Sequence, residues 1–177
     1  FFDVCEDHLE KKYGINEYRA LEMISDSISY AKKYKLRVRF TAEDASRTNL
    51  EFLVKIAKLV EKSGADRFSF ADTVGILHPG QVNDIFSRLT SEIKIPIHGH
   101  FHNDFGLATA NALQAFLSGA SCVDVTVNGL GERCGISSLA EVTASLDELF
   151  NVKNRWNFKI LNDISAYIEK ISKINDN

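Results

Sequence analysis

The chain has 177 residues, 45% of them hydrophobic and 25% charged, with a formal net charge of −3. That length and apolar content suffice for a real core, and the slightly acidic balance speaks against nucleic acid as a partner. No apolar run approaches the roughly 18 residues of a membrane span, and no basic segment followed by an apolar stretch opens the chain. The three cysteines, Cys5, Cys122 and Cys134, are odd in number and show no CxxC spacing, so neither a disulfide framework nor a thiolate metal site is indicated. A reducing, cytoplasmic setting is expected.

The chain opens on FFDVC, without methionine and in a β-rich run, which reads as an internal piece of a longer protein. Strands are predicted at 1 to 5, 36 to 41 (LRVRFT), 67 to 72 (RFSFAD), 96 to 101 (PIHGHF) and 122 to 127 (CVDVTV). Helical patterns follow them near 17 to 34, 48 to 63, 80 to 91, 106 to 118 and 137 to 149. Starts at 36, 67, 96 and 122 are 31, 29 and 26 residues apart, the spacing of a repeated βα unit. Such alternation demands a parallel sheet with right-handed crossovers, either doubly wound or part of a (β/α)₈ barrel. No GxGxxG follows a strand, so a dinucleotide site has no support.

Polar residues recur inside the strands and at their carboxyl ends, which favours the barrel. Arg39, Thr41 and Glu43 alternate onto one face, with Asp44 and Arg47 beyond them; FADTVG brings Asp72, Thr73 and Gly75; TVNGLGERCG brings Asn128, Glu132 and Arg133. HGHFHND sets His98, His100 and His102 on one face of an extended strand, roughly 7 Å between successive ones. Two neutral imidazoles so placed can grip one divalent ion, although each histidine taken singly also reads as a buried or solvated polar residue. Asp44, Ser46 and Asp104 likewise stand where they could cap the helices that follow. A last stretch spaces Phe158, Leu161, Ile164, Ile168, Ile171 and Ile174 three or four apart, the stripe of a helix packed on an exterior face or on a neighbouring subunit.

FTAEDASRT, FADTVG, HGHFHNDFGLATANALQAFLSGA and VNGLGERCG, in this order and spacing, resemble the later strands of the metal-dependent carbon–carbon bond enzymes that include isopropylmalate synthase, homocitrate synthase and hydroxymethylglutaryl-CoA lyase. The resemblance spans nearly the whole chain and implies a partial TIM (β/α)₈ barrel of about the last five βα units (1 to 150), then a helical linker starting at 151 to 177 that leads toward a further region. It implies His100 and His102 as metal ligands, with His98, one pleat deeper, in the core. Mixed nitrogen and oxygen ligation suits zinc, manganese or magnesium. The family's carboxylate ligand and catalytic arginine lie on a first strand outside this chain, so the 177 residues alone are expected to be inactive, and a non-catalytic half-barrel is the alternative from a different class.

Within the family the nearest resemblance is to homocitrate synthase. Isopropylmalate synthases typically carry an acidic residue where this chain has Arg39, whereas homocitrate synthases have arginine followed two positions on by serine or threonine, here Thr41. GERCGISS departs from the form GERAGN by placing Ile136 at the asparagine. The implied reaction condenses acetyl-CoA with a 2-oxo acid, most naturally 2-oxoglutarate, giving homocitrate for lysine biosynthesis. A fork-shaped guanidinium at 39 can hold the distal carboxylate, with Thr41 donating a further bond. Thr73 is expected to help hold the carboxylate next to the ketone, Glu43 and Asp44 to serve catalysis by orienting a ligand or water, and Glu132 and Arg133 to organise the rim. 2-Isopropylmalate, citramalate and citrate synthesis are the alternatives within the family. A homo-oligomer is expected at full length.

Overall fold

The computed structural model describes residues 1–174. Five strands, β1 (Phe2–Asp3), β2 (Arg39–Glu43), β3 (Arg67–Asp72), β4 (Ile97–Phe101) and β5 (Cys122–Val123), pair in parallel in the order in which they occur. The helices α1 (Glu6–Lys11) and α2 (Glu17–Lys33) follow β1, and α3 (Leu50–Lys62), α4 (Pro79–Glu92), α5 (Ala108–Leu117) and α6 (Leu139–Glu148) each follow one strand; α7 (Leu161–Ser172) comes last. Strand order decides between the two architectures. A doubly wound sheet reverses at a switch point, so its chain order and spatial order differ. Here every strand adds to the same edge, and the sheet is an arc of a (β/α) barrel five units wide.

The pleat gives the arc two unlike faces. Phe40, Ala42, Phe68, Phe70, Ile97 and Phe101 are buried in the core shared with the helices. Phe86 of α4 meets Phe70 edge-on at 5.4 Å and Phe101 at 5.9 Å between ring centroids. Gly99 leaves room for this cluster: a Cβ there would stand 2.6 Å from the Phe101 ring and 3.3 Å from that of Phe86. Helix starts follow local rules. Asn16 and Asn49 accept from backbone N–H groups of α2 and α3, while His78 and Gln81 form a reciprocal capping pair around Pro79. The alternate strand positions, Arg39, Thr41, Ser69, His98 and His100, fall on the other face.

Three boundaries differ from expectation. β1 stops at Asp3 because Cys5 becomes the N-cap of α1, a short helix that the sequence pattern does not mark. β2 runs from 39 to 43, rather than 36 to 41, since pairing of Phe40 with Phe68 fixes its register and carries the ladder through buried Ala42. β5 ends at Val123; Thr126 then bridges to Ser138 instead of continuing along β4. The apolar stripe of α7 is half-buried at Leu161, Ile164 and Ile168 and exposed at Ile171, Ile174 lies exposed beyond the end of the helix, and Asn128 Nδ2 donates to the Ser165 carbonyl at 3.4 Å. The last three residues of the expected linker lie outside the described residues. Among those described, no helix is long and apolar enough to cross a membrane.

Phe86 has no solvent exposure and joins β3, β4 and α4. Phe86→Ala should therefore cost about 3–5 kcal/mol, read as a lowered urea midpoint at unchanged m-value.

Candidate active site

Strand register assembles the polar face. Thr41 lies opposite Ser69, Ser69 opposite His98, Ala71 opposite His100, and His98 opposite Cys122. The chain after β5 therefore brings Asp124 beside His100. At the carboxyl ends of the strands a depression of about 330 Å³ is lined by residues that include Arg39, Thr41, Glu43, Thr73, His100, His102, Asp124 and Glu132.

Two imidazoles converge there. Nε2 of His100 and Nε2 of His102 stand 3.4 Å apart, with ring planes at 69°. Nitrogens about 2.0–2.1 Å from a shared tetrahedral ion would be separated by about this distance, so the pair fits one divalent ion. His100 Nδ1 lies 3.2 Å from Asp124 Oδ2, and Asp124 Oδ1 accepts from Arg39 Nη1 at 3.0 Å. Glu132 brings an oxygen to 3.9 Å from His102 Nε2. Burial, helped by the neighbouring His100 and Arg133 charges, pushes His102 below the ordinary imidazole pKa and favours the neutral form that a metal requires. Burial also opposes the charge of Asp124, but hydrogen bonds from His100 and Arg39 overcome it and hold the carboxyl below its usual range.

The rim is tied by Arg133. Its Nε and Nη2 donate to the two oxygens of Asp104 at 2.6 and 2.8 Å, and Nη2 also donates to the Thr73 carbonyl at 2.8 Å, joining the loops after β3, β4 and β5. These contacts lower the Asp104 pKa. Gly75, at φ 63°, allows the close approach, since a Cβ would sit 2.5 Å from Asp104 Oδ2. Thr73 Oγ1 accepts from the Asp44 backbone N–H at 2.8 Å, which leaves its own proton free to be donated.

Of the residues expected at the site, Arg39, Thr41, Glu43, Thr73, His100 and His102 line the depression. The Asp44 carboxylate does not. Asp44 takes a left-handed backbone at φ 58°, and its side chain turns into a buried cluster where Arg47 donates to both of its oxygens. Cys5, His8 and Asp44 bring possible ligand atoms within 4.8 Å of one another there, but the Arg47 guanidinium already neutralises that carboxylate and lies 3.4 Å from His8 Nε2. The expected caps also move: Asn49, not Asp44 or Ser46, caps α3, and Asn103, not Asp104, accepts from the Ala108 N–H. Asp72, expected among the polar strand ends, is wholly buried and accepts from the Ile76 and Leu77 N–H groups. Asp124 was not singled out by the sequence, although the alternation of CVDVTV would have put it with Thr126 on one face.

Residues 1–168 match the family model described as HMGL-like. The chain belongs to that family. It is 43% identical over 175 residues to the homocitrate synthase of Sulfurisphaera tokodaii and 45% identical to that of Saccharolobus solfataricus, in each case covering 98% of this chain and 38% of the relative. It thus spans about two-fifths of the curated relatives' length. Among solved structures, an HMG-CoA lyase of Bacillus subtilis superposes with a TM-score of 0.84 at 22% identity, over 99% of this chain and 63% of that one. A second HMG-CoA lyase, from Acinetobacter baumannii and solved with coenzyme A and 3-methylmalate, gives 0.82 at 19% identity, over 99% and 61%. Both likenesses carry the barrel fold.

His98 sits one pleat below His100, 3% exposed, with Nδ1 lacking a hydrogen-bond partner among the described residues. Burial, with Arg39 adding to it, lowers its pKa from 6.5. The unfolded chain then binds the proton more readily than the folded one, so this contribution is intact above about pH 6.5 and is lost as pH falls toward the depressed value. Denaturant midpoints should decline from pH 7 to pH 5, and His98→Gln should flatten that slope.

Proposed function

We propose that the protein carrying this chain condenses acetyl-CoA with 2-oxoglutarate and hydrolyses the resulting thioester, releasing homocitrate and coenzyme A. The observation that carries this reading is the adjacency of an ion-binding imidazole pair and a guanidinium, with Arg39 and His100 sharing the Asp124 carboxylate. Similarity to relatives named homocitrate synthase supports it. An apolar 2-oxo acid would leave the Arg39 donors that Asp124 does not use without a substrate partner, whereas a dicarboxylic one supplies it.

In this reading His100 and His102 hold zinc, manganese or magnesium. Bound there, the ion supplies Lewis acidity to the ketone under attack. Thr73, its hydroxyl oriented by the Asp44 N–H, donates to the carboxylate next to the ketone. Arg39 offers the donors not spent on Asp124 to the distal carboxylate, and Thr41, on the same face, adds a hydroxyl. Glu43 lines the depression where it can orient water or carry a proton. Asp44 acts at one remove, through the bond its backbone gives Thr73. Acetyl-CoA is the second substrate, and an assembly of several copies remains the expected form at full length. Because the chain covers 38% of its relatives, the activity is assigned to the longer protein.

In the full-length protein, His100→Ala or His102→Ala should abolish activity and weaken zinc binding by more than the roughly 10–100-fold typical of an outer-shell partner. His98→Ala should chiefly lower stability. Zinc stoichiometry measured after dialysis checks both, and full retention in either ligand variant would refute the ion site.

Substrate choice follows from Arg39. Across a panel of 2-oxo acids, 2-oxoglutarate should exceed 2-oxoisovalerate in kcat/KM by about three orders of magnitude, with oxaloacetate the nearest competitor. Arg39→Gln should raise the KM for 2-oxoglutarate steeply and leave that for acetyl-CoA nearly unchanged. A wild-type preference for 2-oxoisovalerate would favour 2-isopropylmalate synthesis instead.

A further inference from the structure

The roles above leave Asp124 unassigned, although it lies between two of their members. Its oxygens are divided: Oδ1 accepts from Arg39 Nη1 at 3.0 Å, and Oδ2 faces His100 Nδ1 at 3.2 Å. With 23% of its side chain exposed, it is mostly withdrawn from water, between an imidazole and a guanidinium. An ionised carboxylate can only accept hydrogen bonds, so the short contact to His100 requires the proton on Nδ1. In the neutral imidazole that a metal requires, this tautomer puts the lone pair on Nε2, the atom that faces His102 Nε2 at 3.4 Å. The bond to Nδ1 also fixes the plane of the ring, as carboxylate partners of metal-binding histidines do. On its other side, Asp124 uses one guanidinium donor of Arg39 and fixes the direction in which the remaining donors point.

We propose that Asp124 is a positioning residue that sets His100 for the ion and Arg39 for the distal carboxylate of the 2-oxo acid, so that one side chain aligns both halves of the site. This rests on the function proposed above. A purely structural role, balancing the Arg39 charge and filling the space beside His100, predicts something different: loss of stability without a selective change in ion or substrate binding. The near-isosteric Asp124→Asn keeps the volume but cannot accept from both partners, because one of its two terminal atoms is a donor.

The test uses the full-length protein and zinc alone as the first probe, titrated against a chromophoric chelator, so that it does not depend on turnover. Asp124→Asn should bind zinc about 10–100-fold more weakly than wild type. Arg39→Gln, which leaves the His100 contact in place, should bind zinc within about twofold of wild type. In metal-saturated enzyme, Asp124→Asn should also raise the KM for 2-oxoglutarate about tenfold without altering that for acetyl-CoA, and this increase should vanish when Arg39→Gln is already present. If Asp124→Asn does not fold by circular dichroism, Asp124→Glu serves, since it preserves the charge but displaces it. A structural charge role leaves zinc affinity intact in that variant, and a positioning role does not. Wild-type zinc affinity in the folded Asp124 variant overturns the proposal. Failure of wild type to bind zinc, or to use 2-oxoglutarate, refutes the function itself; in the latter case the zinc titration still decides the role of Asp124 toward His100.

Discussion

The in-step register of five parallel strands is the constraint from which the site follows. A two-residue pleat sends alternate side chains to opposite faces, and parallel pairing lines up equivalent positions across neighbouring strands. One face must be covered, and here Phe40, Phe68, Phe70 and Phe101 lie in the core with the helices. The other face then gathers what remains. Arg39, Thr41, Ser69, His98 and His100 form adjoining rows because pairing leaves them nowhere else to go. Slipping one strand by a single residue would bury its charges under helices and expose its phenylalanines, so packing on the far side guards the geometry of the near side.

Above the strands the rim depends on polar bonds rather than on packing. Arg133 reaches Asp104 and the Thr73 carbonyl, and the Asp44 N–H reaches the Thr73 hydroxyl, so the loops after β2, β3, β4 and β5 are linked by a few directed contacts. Left-handed backbone at Asp44, Asn128 and Arg133 gives these loops their sharp changes of direction. Asp44 shows the consequence: its main chain donates to the Thr73 hydroxyl while its carboxylate, turned away, holds Arg47 near His8. Adjacent residues of one sequence motif thus contribute to opposite sides of the sheet.

Electrostatics at the depression are nearly self-contained. Burial disfavours the charged form of His102, hydrogen bonds from His100 and Arg39 favour the charged form of Asp124, and Arg39 balances that carboxylate. An imidazole pair with an anionic partner is suited to accept a cation, while the uncommitted donors of Arg39 are suited to accept an anion. The substrate of the proposed reaction, an anion with a second carboxylate, would satisfy both demands.

The sequence by itself determined the repeat, the parallel sheet and most helices, because these depend on local period and on caps that lie within a few residues of the helices they start. It also determined that His100 and His102 share a face, since two residues along a strand return the side chain to the same side. Tertiary structure decided what depends on neighbours distant in the chain. Sequential strand order excluded the doubly wound sheet, pairing with Phe68 moved β2 from the expected 36 to 41 to 39 to 43, and the bridge of Thr126 to Ser138 cut β5 short. Asp124 became a partner of His100, 24 residues away, and of Arg39, 85 residues away, only through the placement of β5 against β4. Asp44 could not be separated from Glu43 by composition, because a left-handed φ at a non-glycine residue is imposed by the contacts around it and not by its own preference.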